Sequence, residues 1–463
     1  MKISNFKKFI FIAFSAVIFF IACEKENSVD DNFAIVSVFA CGSTGKSTDI
    51  PTTKLIFTVN DDKFALTADD IKISAAFFVI KGKLKQEGTT CELPITPGGT
   101  GTIRVGLDPY RGFTGWSAKT VIVYADNYFS GTSELTITGS RDSQSNGVLN
   151  IPNEINDMPV TAIGDSAFVR KELISVNIPD SIKIIGDSAF AHNQLPEIKI
   201  PDSVFSIGNT AFAYNQLSDV IIPNSVTTIG SGAFGYNQLS AVTIPENITV
   251  IRSSVFAYNK ITEIDIPITV TTIGTDAFTD NLLSDIDIPY NVTSIGNGAF
   301  AYNYLTKITI PEKISFLSGF NNNLLTEVEI HSTLVTSIGS SAFANNQLKN
   351  FDIPESVTII GNYAFAHNLF ESITIPEKVT DIGYRAFAYN YLSEIVIPDS
   401  VRNIEIHAFI DNPLTSITIG ENVTLGTSSF GNGFENFYYK NSRKKGIYTF
   451  TGEWDYSPIP PIP

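Results

Sequence analysis

The sequence predicts a mainly β chain: a coiled solenoid of about thirteen 22-residue turns, preceded by a small β-sandwich. Three observations predict it. A phenylalanine, an Ile-Pro pair and an asparagine return at one shared interval and stay in phase over most of the 463 residues. Phe numbers 34 while Met and Trp number two each, as expected when one template reuses one core residue. Ahead of the repeats, short β-branched runs alternate with turn residues, the pattern of closely spaced strands.

From the start of the chain, residues 1–22 read as an export signal. Lys2, Lys7 and Lys8 form its charged end, and an apolar run from Phe9 to Ala22 follows. Fourteen residues at the helical rise reach roughly 21 Å, short of the ~30 Å hydrocarbon core, so the run does not predict a spanning helix. It ends in Phe20-Ile21-Ala22-Cys23, which resembles the bacterial lipobox. That resemblance implies a lipoprotein whose Cys23 thiol receives a diacylglycerol and becomes the new N-terminus. Residues 23–32, with Glu24-Lys25-Glu26 and Asp30-Asp31, then make a polar tether. The expected address is the cell surface or outer membrane, lipid-anchored.

Residues 33–127 carry β runs at Phe33–Phe39, Lys54–Val59, Phe77–Ile80 and Lys119–Tyr124, with turns at Asn60-Asp61-Asp62 and Pro97–Gly101. Their spacing suggests an immunoglobulin-like β-sandwich. Within it, Ala40-Cys41-Gly42-Ser43-Thr44-Gly45-Lys46-Ser47 nearly spells a phosphate-binding loop. Ala40 stands where the first Gly belongs, and Pro51 would break the helix that the chemistry requires, so the motif is rejected. Besides Cys23, the cysteines are Cys41 and Cys91; they could pair in an oxidising compartment or remain free thiols.

The repeats proper run from 148 to 430. Phe168, Phe190, Phe212, Phe234, Phe256, Phe278 and Phe300 are each 22 residues apart, and the series resumes at Phe343, Phe365, Phe387 and Phe409. Ile222-Pro223 and Asn237 stand for the other two registers. In Leu217-Ser218-Asp219-Val220-Ile221-Ile222-Pro223, Val220 and Ile222 alternate as a half-buried strand does, and Pro223 ends it. Gly230 reads as a permissive corner. A buried Asn237 needs partners, expected from equivalent Asn residues and from exposed backbone. No turn buries its own apolar face, so each depends on its neighbours. One turn is irregular: after Pro311 it shortens to Ser315-Phe316-Leu317-Ser318-Gly319-Phe320, and Ile330-His331 then replaces Ile-Pro. A local change in curvature is expected there. Residues 128–147 read as an N-terminal hairpin cap. Residues 431–463 read as a C-terminal cap and tail, in which Phe437-Tyr438-Tyr439 and Gly446–Phe450 pair over the last turn.

Phrases such as Leu239-Ser240-Ala241-Val242-Thr243-Ile244-Pro245 followed by Ala277-Phe278 resemble the BspA-like class of leucine-rich repeats over roughly residues 148–430. The resemblance implies a right-handed arc with parallel strands on its concave side. It also implies a bacterial surface protein that adheres to host matrix proteins or other cells, and it supplies no catalytic residues.

Composition narrows the partners. With 47 acidic and 31 basic residues the net charge is −16, which repels a phosphate backbone, so no nucleic acid is expected. Two positions per turn point outward beside the second apolar strand residue. They gather carboxylates at Glu263, Asp265, Asp285, Asp287, Glu327, Glu329 and Asp352, interrupted by Lys307. These are the candidate partner-binding residues, suited to an extracellular or host protein of basic character. A second stripe, Tyr214, Tyr236, Tyr258, Tyr302 and Tyr389 with His192 and His367, reads chiefly as neighbours stacking on one another. No nucleophile–base pair or ligand cluster stands out, so no enzyme, metal or cofactor is expected. A glycan-binding module and a structural envelope protein are the alternatives.

Overall fold

A computed structural model describes strand pairing from Ile35 onward, and the side chains of residues 134–138, 147–154 and 158–459. Residues 1–22, Cys23 and the tether to residue 32 lie outside the described residues, as do residues 43–47 of the rejected phosphate-loop motif. The chain divides into two compact units, Met1–Ala189 and Phe190–Pro463.

The first unit opens with eight strands: β1 (Ile35–Gly42), β2 (Thr52–Val59), β3 (Ile71–Ala75), β4 (Val79–Lys81), β5 (Lys85–Glu87), β6 (Thr90–Pro97), β7 (Gly101–Leu107) and β8 (Lys119–Val123). They form two antiparallel sheets, one ordered β1-β2-β6-β4 with β5 also on β6, the other β3-β7-β8. The immunoglobulin-like topology expected of 33–127 depends on connections, such as 108–118, that lie outside the described residues. Register does bear on the cysteines. Cys41 faces Lys54 and Cys91 faces Phe57, on opposite sides of β2. Their backbones are therefore at least two strand spacings, about 9.6 Å, apart, beyond the ~7 Å that a disulfide spans.

The expected N-terminal hairpin is present: β9 (Asn127–Ser130) pairs antiparallel with β10 (Leu135–Ser140). β10 then pairs in parallel with Met158–Ile163, Ile137 facing Ile163, so the hairpin's second strand already serves as a rung. Leu135 and Ile137 are fully buried beneath it.

The second unit repeats one coil. Ala211, Phe212, Leu217, Val220, Ile222, Val226 and Ile229 of a single turn all point inward and are buried. Their phenylalanines form an unbroken column: Phe190–Phe212 at 5.4 Å, Phe212–Phe234 at 5.5 Å, and so on to Phe409–Phe430 at 4.9 Å, each near-parallel to the next. Burying such a ring contributes about 1.5–3 kcal/mol, and an aromatic pair adds about 0.5–1.5 kcal/mol. The shortened turn does not interrupt the column, because Phe320 stacks between Phe300 and Phe343 at 5.7 and 5.8 Å. Gly319, at φ +100°, takes the conformation that lets it do so.

The backbone closes the coil differently from expectation. The regular parallel ladder runs through the short corner strands, Ser206–Ile207 against Thr228–Ile229 and Val250–Ile251 against Thr272–Ile273. The segment Leu217–Pro223 keeps the alternation, with Val220 and Ile222 buried and Asp219 and Ile221 exposed, but pairs only through isolated bridges Lys199–Ile221 and Ile221–Thr243. Pro223 has no N–H to extend the ladder, and the Ser218 N–H is directed to the Pro196 carbonyl at 3.1 Å. Full pairing of this segment appears where Lys307–Ile310 meets Glu327–Ile330, with Lys307 facing Glu327. Opposite charges directly across a pair favour it.

Gly230 is also corrected. It does not need a left-handed conformation; a Cβ there would fall against the backbone nitrogen of Asn209 in the preceding turn. Close approach of two turns requires the glycine. Left-handed backbone occurs instead at two other places per turn, as at Thr210 (φ +50°) and Tyr214 (φ +57°).

At the C-terminal end, Phe437-Tyr438-Tyr439 is not a strand but part of helix α1 (Phe434–Lys440). Phe434 and Tyr438, one helical turn apart, are both fully buried, a spacing that suits a helix face. Its tyrosines replace the missing next turn. Tyr438 Oη donates to Gly420 O at 2.7 Å and accepts from Val423 N, while Tyr439 Oη accepts from Leu425 N at 2.9 Å. Gly446–Phe450 pairs antiparallel with Ser416–Ile419, as expected.

Candidate functional site

Each turn from Asn193 to Asn390 carries a buried asparagine. Asn237 Nδ2 donates to Phe234 O at 3.1 Å and to Phe212 O of the preceding turn at 3.0 Å, while its Oδ1 accepts from Leu217 N at 3.1 Å. The same arrangement holds from Asn215 to Asn412. The partners are backbone groups and not the neighbouring asparagines. By fixing where Leu217 enters, this clamp sets which of the next residues face outward.

Those outward positions carry the predicted residues. Glu263, Asp265, Asp285, Asp287, Glu327, Glu329 and Asp352 are all exposed, on equivalent places of turns about 4.8 Å apart. The structure splits them by partner. Lys307 Nζ lies 3.4 Å from Glu327 and 3.9 Å from Glu329, and His331 Nε2 lies 2.9 Å from Glu329. His331 stands where other turns have proline, so the irregular turn supplies its own partner for Glu329. The hydrogen bond from His331, then its charge, holds the Glu329 carboxyl below its ordinary range. Among the described residues Glu263, Asp265, Asp285 and Asp287 have no ion-pair partner.

A feature absent from the sequence reading adjoins them. The residue after the buried Asn is Gln at 194, 216, 238 and 347, but Leu282, Tyr304 and Leu324 occupy that place beside the acidic turns. They are 39%, 52% and 38% exposed. Departure from glutamine was the signal available, and it is not confined to the acidic turns, since Leu369 and Tyr391 also hold this place further along.

The tyrosine stripe stacks as expected except at Tyr302, whose neighbouring turns hold Asp280 and Asn322 in the same place. His192–Tyr214, Tyr214–Tyr236 and Tyr236–Tyr258 ring centroids are 4.3, 4.3 and 4.2 Å apart, and His367 takes the same place beneath Tyr389. Desolvation, then hydrogen bonds with the flanking tyrosines, pushes the Tyr236 hydroxyl up to about 12. Cys23 lies outside the described residues. Among the described residues no three His, Cys, Asp or Glu converge as metal ligands, and no helix is long and apolar enough to cross a membrane.

A family model described as the BspA type leucine rich repeat region matches residues 161–284, 206–319 and 317–435, in six copies. This chain belongs to that family. Its BspA-type repeats also resemble solved structures. The pneumococcal vaccine antigen PcpA is 19% identical, with TM-score 0.52, over 69% of this chain and 95% of that one. A leucine-rich repeat protein from Bacteroides ovatus is 20% identical, with TM-score 0.47, over 70% and 98%. A leucine rich cell surface protein from Faecalibacterium prausnitzii is 26% identical, with TM-score 0.47, over 67% and 95%. No curated protein matches the chain. The PcpA likeness agrees with the repeat fold derived above. BspA-type repeats are scaffolds for protein binding, and the exposed flank built here is consistent with that use.

Proposed function

We propose that this BspA-type chain is a cell-surface lipoprotein, anchored through Cys23, whose solenoid flank binds a basic protein partner in adhesion to host matrix or to other cells. The observation that carries this is the placement, on neighbouring turns, of unpaired carboxylates at Glu263, Asp265, Asp285 and Asp287 beside the exposed row Leu282, Tyr304 and Leu324, with Leu282 on the same turn as Asp285 and Asp287. A partly apolar centre beside one sign of charge suits a partner bearing Lys or Arg among aliphatic side chains. The buried interior supplies stability without these residues, so their departure from the repeated pattern needs another cause.

The charge-reversal variant Asp285→Lys/Asp287→Lys, and separately Tyr304→Ala, test the surface. Binding of the full chain to immobilised matrix proteins should weaken about tenfold or more with either variant, and wild-type binding should fall as salt rises. Unchanged binding by both variants refutes the site. For the anchor, Cys23→Ser should abolish metabolic incorporation of labelled palmitate and release the repeats from cells. Retained label, or repeats inaccessible to protease on intact cells, refutes the address.

A further inference from the structure

A second departure from the template lies on another part of the coil. Two residues before each buried Ala-Phe pair's alanine and one residue before it, the chain forms a tight bend. The residue immediately before that alanine has left-handed backbone in most turns. Small residues fill it at Ser188, Thr210, Gly232, Ser254, Gly298, Ser341 and Ser428. In three successive turns the same place instead holds Tyr363 (φ +57°), Arg385 (φ +52°) and His407 (φ +60°). Large side chains in this region are uncommon and cost free energy, and such strain concentrates where a residue is kept for a task.

The three gather further aromatic groups. Tyr384 packs edge-on to Tyr363 at 5.1 Å and lies 6.0 Å from the His407 ring. The Arg385 guanidinium sits over Tyr384 at 5.3 Å and over Tyr389 at 5.9 Å, held between two rings. Its Nε is buried without a hydrogen-bond partner, and so is Nδ1 of His407. Among the described residues Arg385 makes no ion pair, although Glu405 lies in the next turn and the protein carries a net charge of −16.

An arginine fork that is part-buried, pre-positioned by two rings and left unpaired is suited to receive an oxyanion. We infer that Tyr363, Tyr384, Arg385 and His407 form a binding site for an acidic glycan, with Arg385 receiving a sugar carboxylate or sulfate. The tyrosine hydroxyls and the histidine ring offer hydrogen bonds to sugar hydroxyls, and the rings offer apolar faces. Three equivalent places at the inter-turn spacing of about 4.8 Å align along the solenoid axis, a repeat close to the length of one sugar unit. A glycan chain matches that periodicity; an extended peptide running along the axis does not.

The full chain would be titrated with oligogalacturonate, hyaluronan and heparin oligosaccharides. Controls are dextran, methyl-esterified oligogalacturonate and a polyglutamate peptide. At least one acidic glycan should bind, and the neutral controls should not. Arg385→Ser restores the residue found at this place in Ser254 and Ser341, so it preserves the coil; it should weaken binding about tenfold to a hundredfold. Arg385→Lys keeps the charge without the fork and should lose part of that affinity. A melting temperature matching wild type separates loss of the site from loss of fold. No binding by any acidic glycan overturns the inference. So does equal binding of dextran or the methyl ester, tighter binding of polyglutamate, or binding untouched by Arg385→Ser in the folded protein.

Discussion

The Asn237 side-chain amide donates to the carbonyl of Phe212, in the preceding turn, at 3.0 Å. With the Phe234 carbonyl and the Leu217 N–H also satisfied, one side chain joins three backbone groups across two turns. Asn237→Ala leaves these groups buried without partners. Each buried group left unsatisfied costs about 1–3 kcal/mol, so a loss of about 3 kcal/mol or more is expected. Chemical denaturation measures the loss, and hydrogen exchange should show the Leu217 amide losing protection before amides several turns away. An unchanged midpoint would mean that the clamp is not a source of stability.

The phenylalanine column sets a second expectation. Phe234 lies 5.5 Å from Phe212 and 5.9 Å from Phe256, and is fully buried. Phe234→Ala should cost about 3–5 kcal/mol through lost burial and the cavity left behind. Because each turn touches only its neighbours, Phe234→Leu, which fills most of the space, should cost clearly less. Equal destabilisation by both variants would point to the ring stack and away from cavity volume.

How much of this was legible in advance follows from what repeats. Phe234, Asn237, Val220 and Ile222 recur in phase, so the sequence predicts a solenoid, its buried positions and the outward place of Asp285 and Glu329. Hydrogen-bond direction does not recur as a residue type. Hence the sequence suggested a ladder along Leu217–Pro223, whereas the regular pairing runs through Thr228–Ile229. Likewise φ at Tyr214 has no compositional mark, since tyrosine is not a residue that favours left-handed backbone. The helix at Phe434–Lys440 was missed because three aromatic residues in a row resemble a strand, while its burial follows the helical spacing of Phe434 and Tyr438. Of the candidate sites, the carboxylates were visible as charge. The row Leu282, Tyr304 and Leu324 and the group around Arg385 emerge only when each place is compared across all turns.

The left-handed places allow a stabilising substitution. Ser254 has φ +57°, and Gly232 and Gly298 occupy the same place in other turns. Relief of left-handed strain is worth about 1–2 kcal/mol, against about 0.4–1 kcal/mol lost through the freer unfolded chain. Ser254→Gly should therefore be neutral to about 1 kcal/mol stabilising. Ser254→Val, with a β-branched side chain in the same conformation, should destabilise. Thermal melts decide the order, and a glycine variant less stable than the valine variant would contradict the backbone argument.

The pairing of His331 with Glu329 carries a pH dependence of known sign. The carboxyl of Glu329 is lowered first by its hydrogen bond with His331, then by that residue's charge, with Lys307 contributing less. A carboxyl depressed in the folded state stabilises the fold above its unfolded pKa, and that contribution is lost as pH falls through the folded value. At an exposed site the effect on stability is small, so titration is the better measure. Carboxyl carbon shifts across pH should place Glu329 lower in the wild type than in His331→Ala, with Lys307→Ala moving it upward by a smaller amount. Identical titration in the wild type and His331→Ala would show that the 2.9 Å contact does not persist in solution. A larger shift from Lys307→Ala would reverse the order of the two causes.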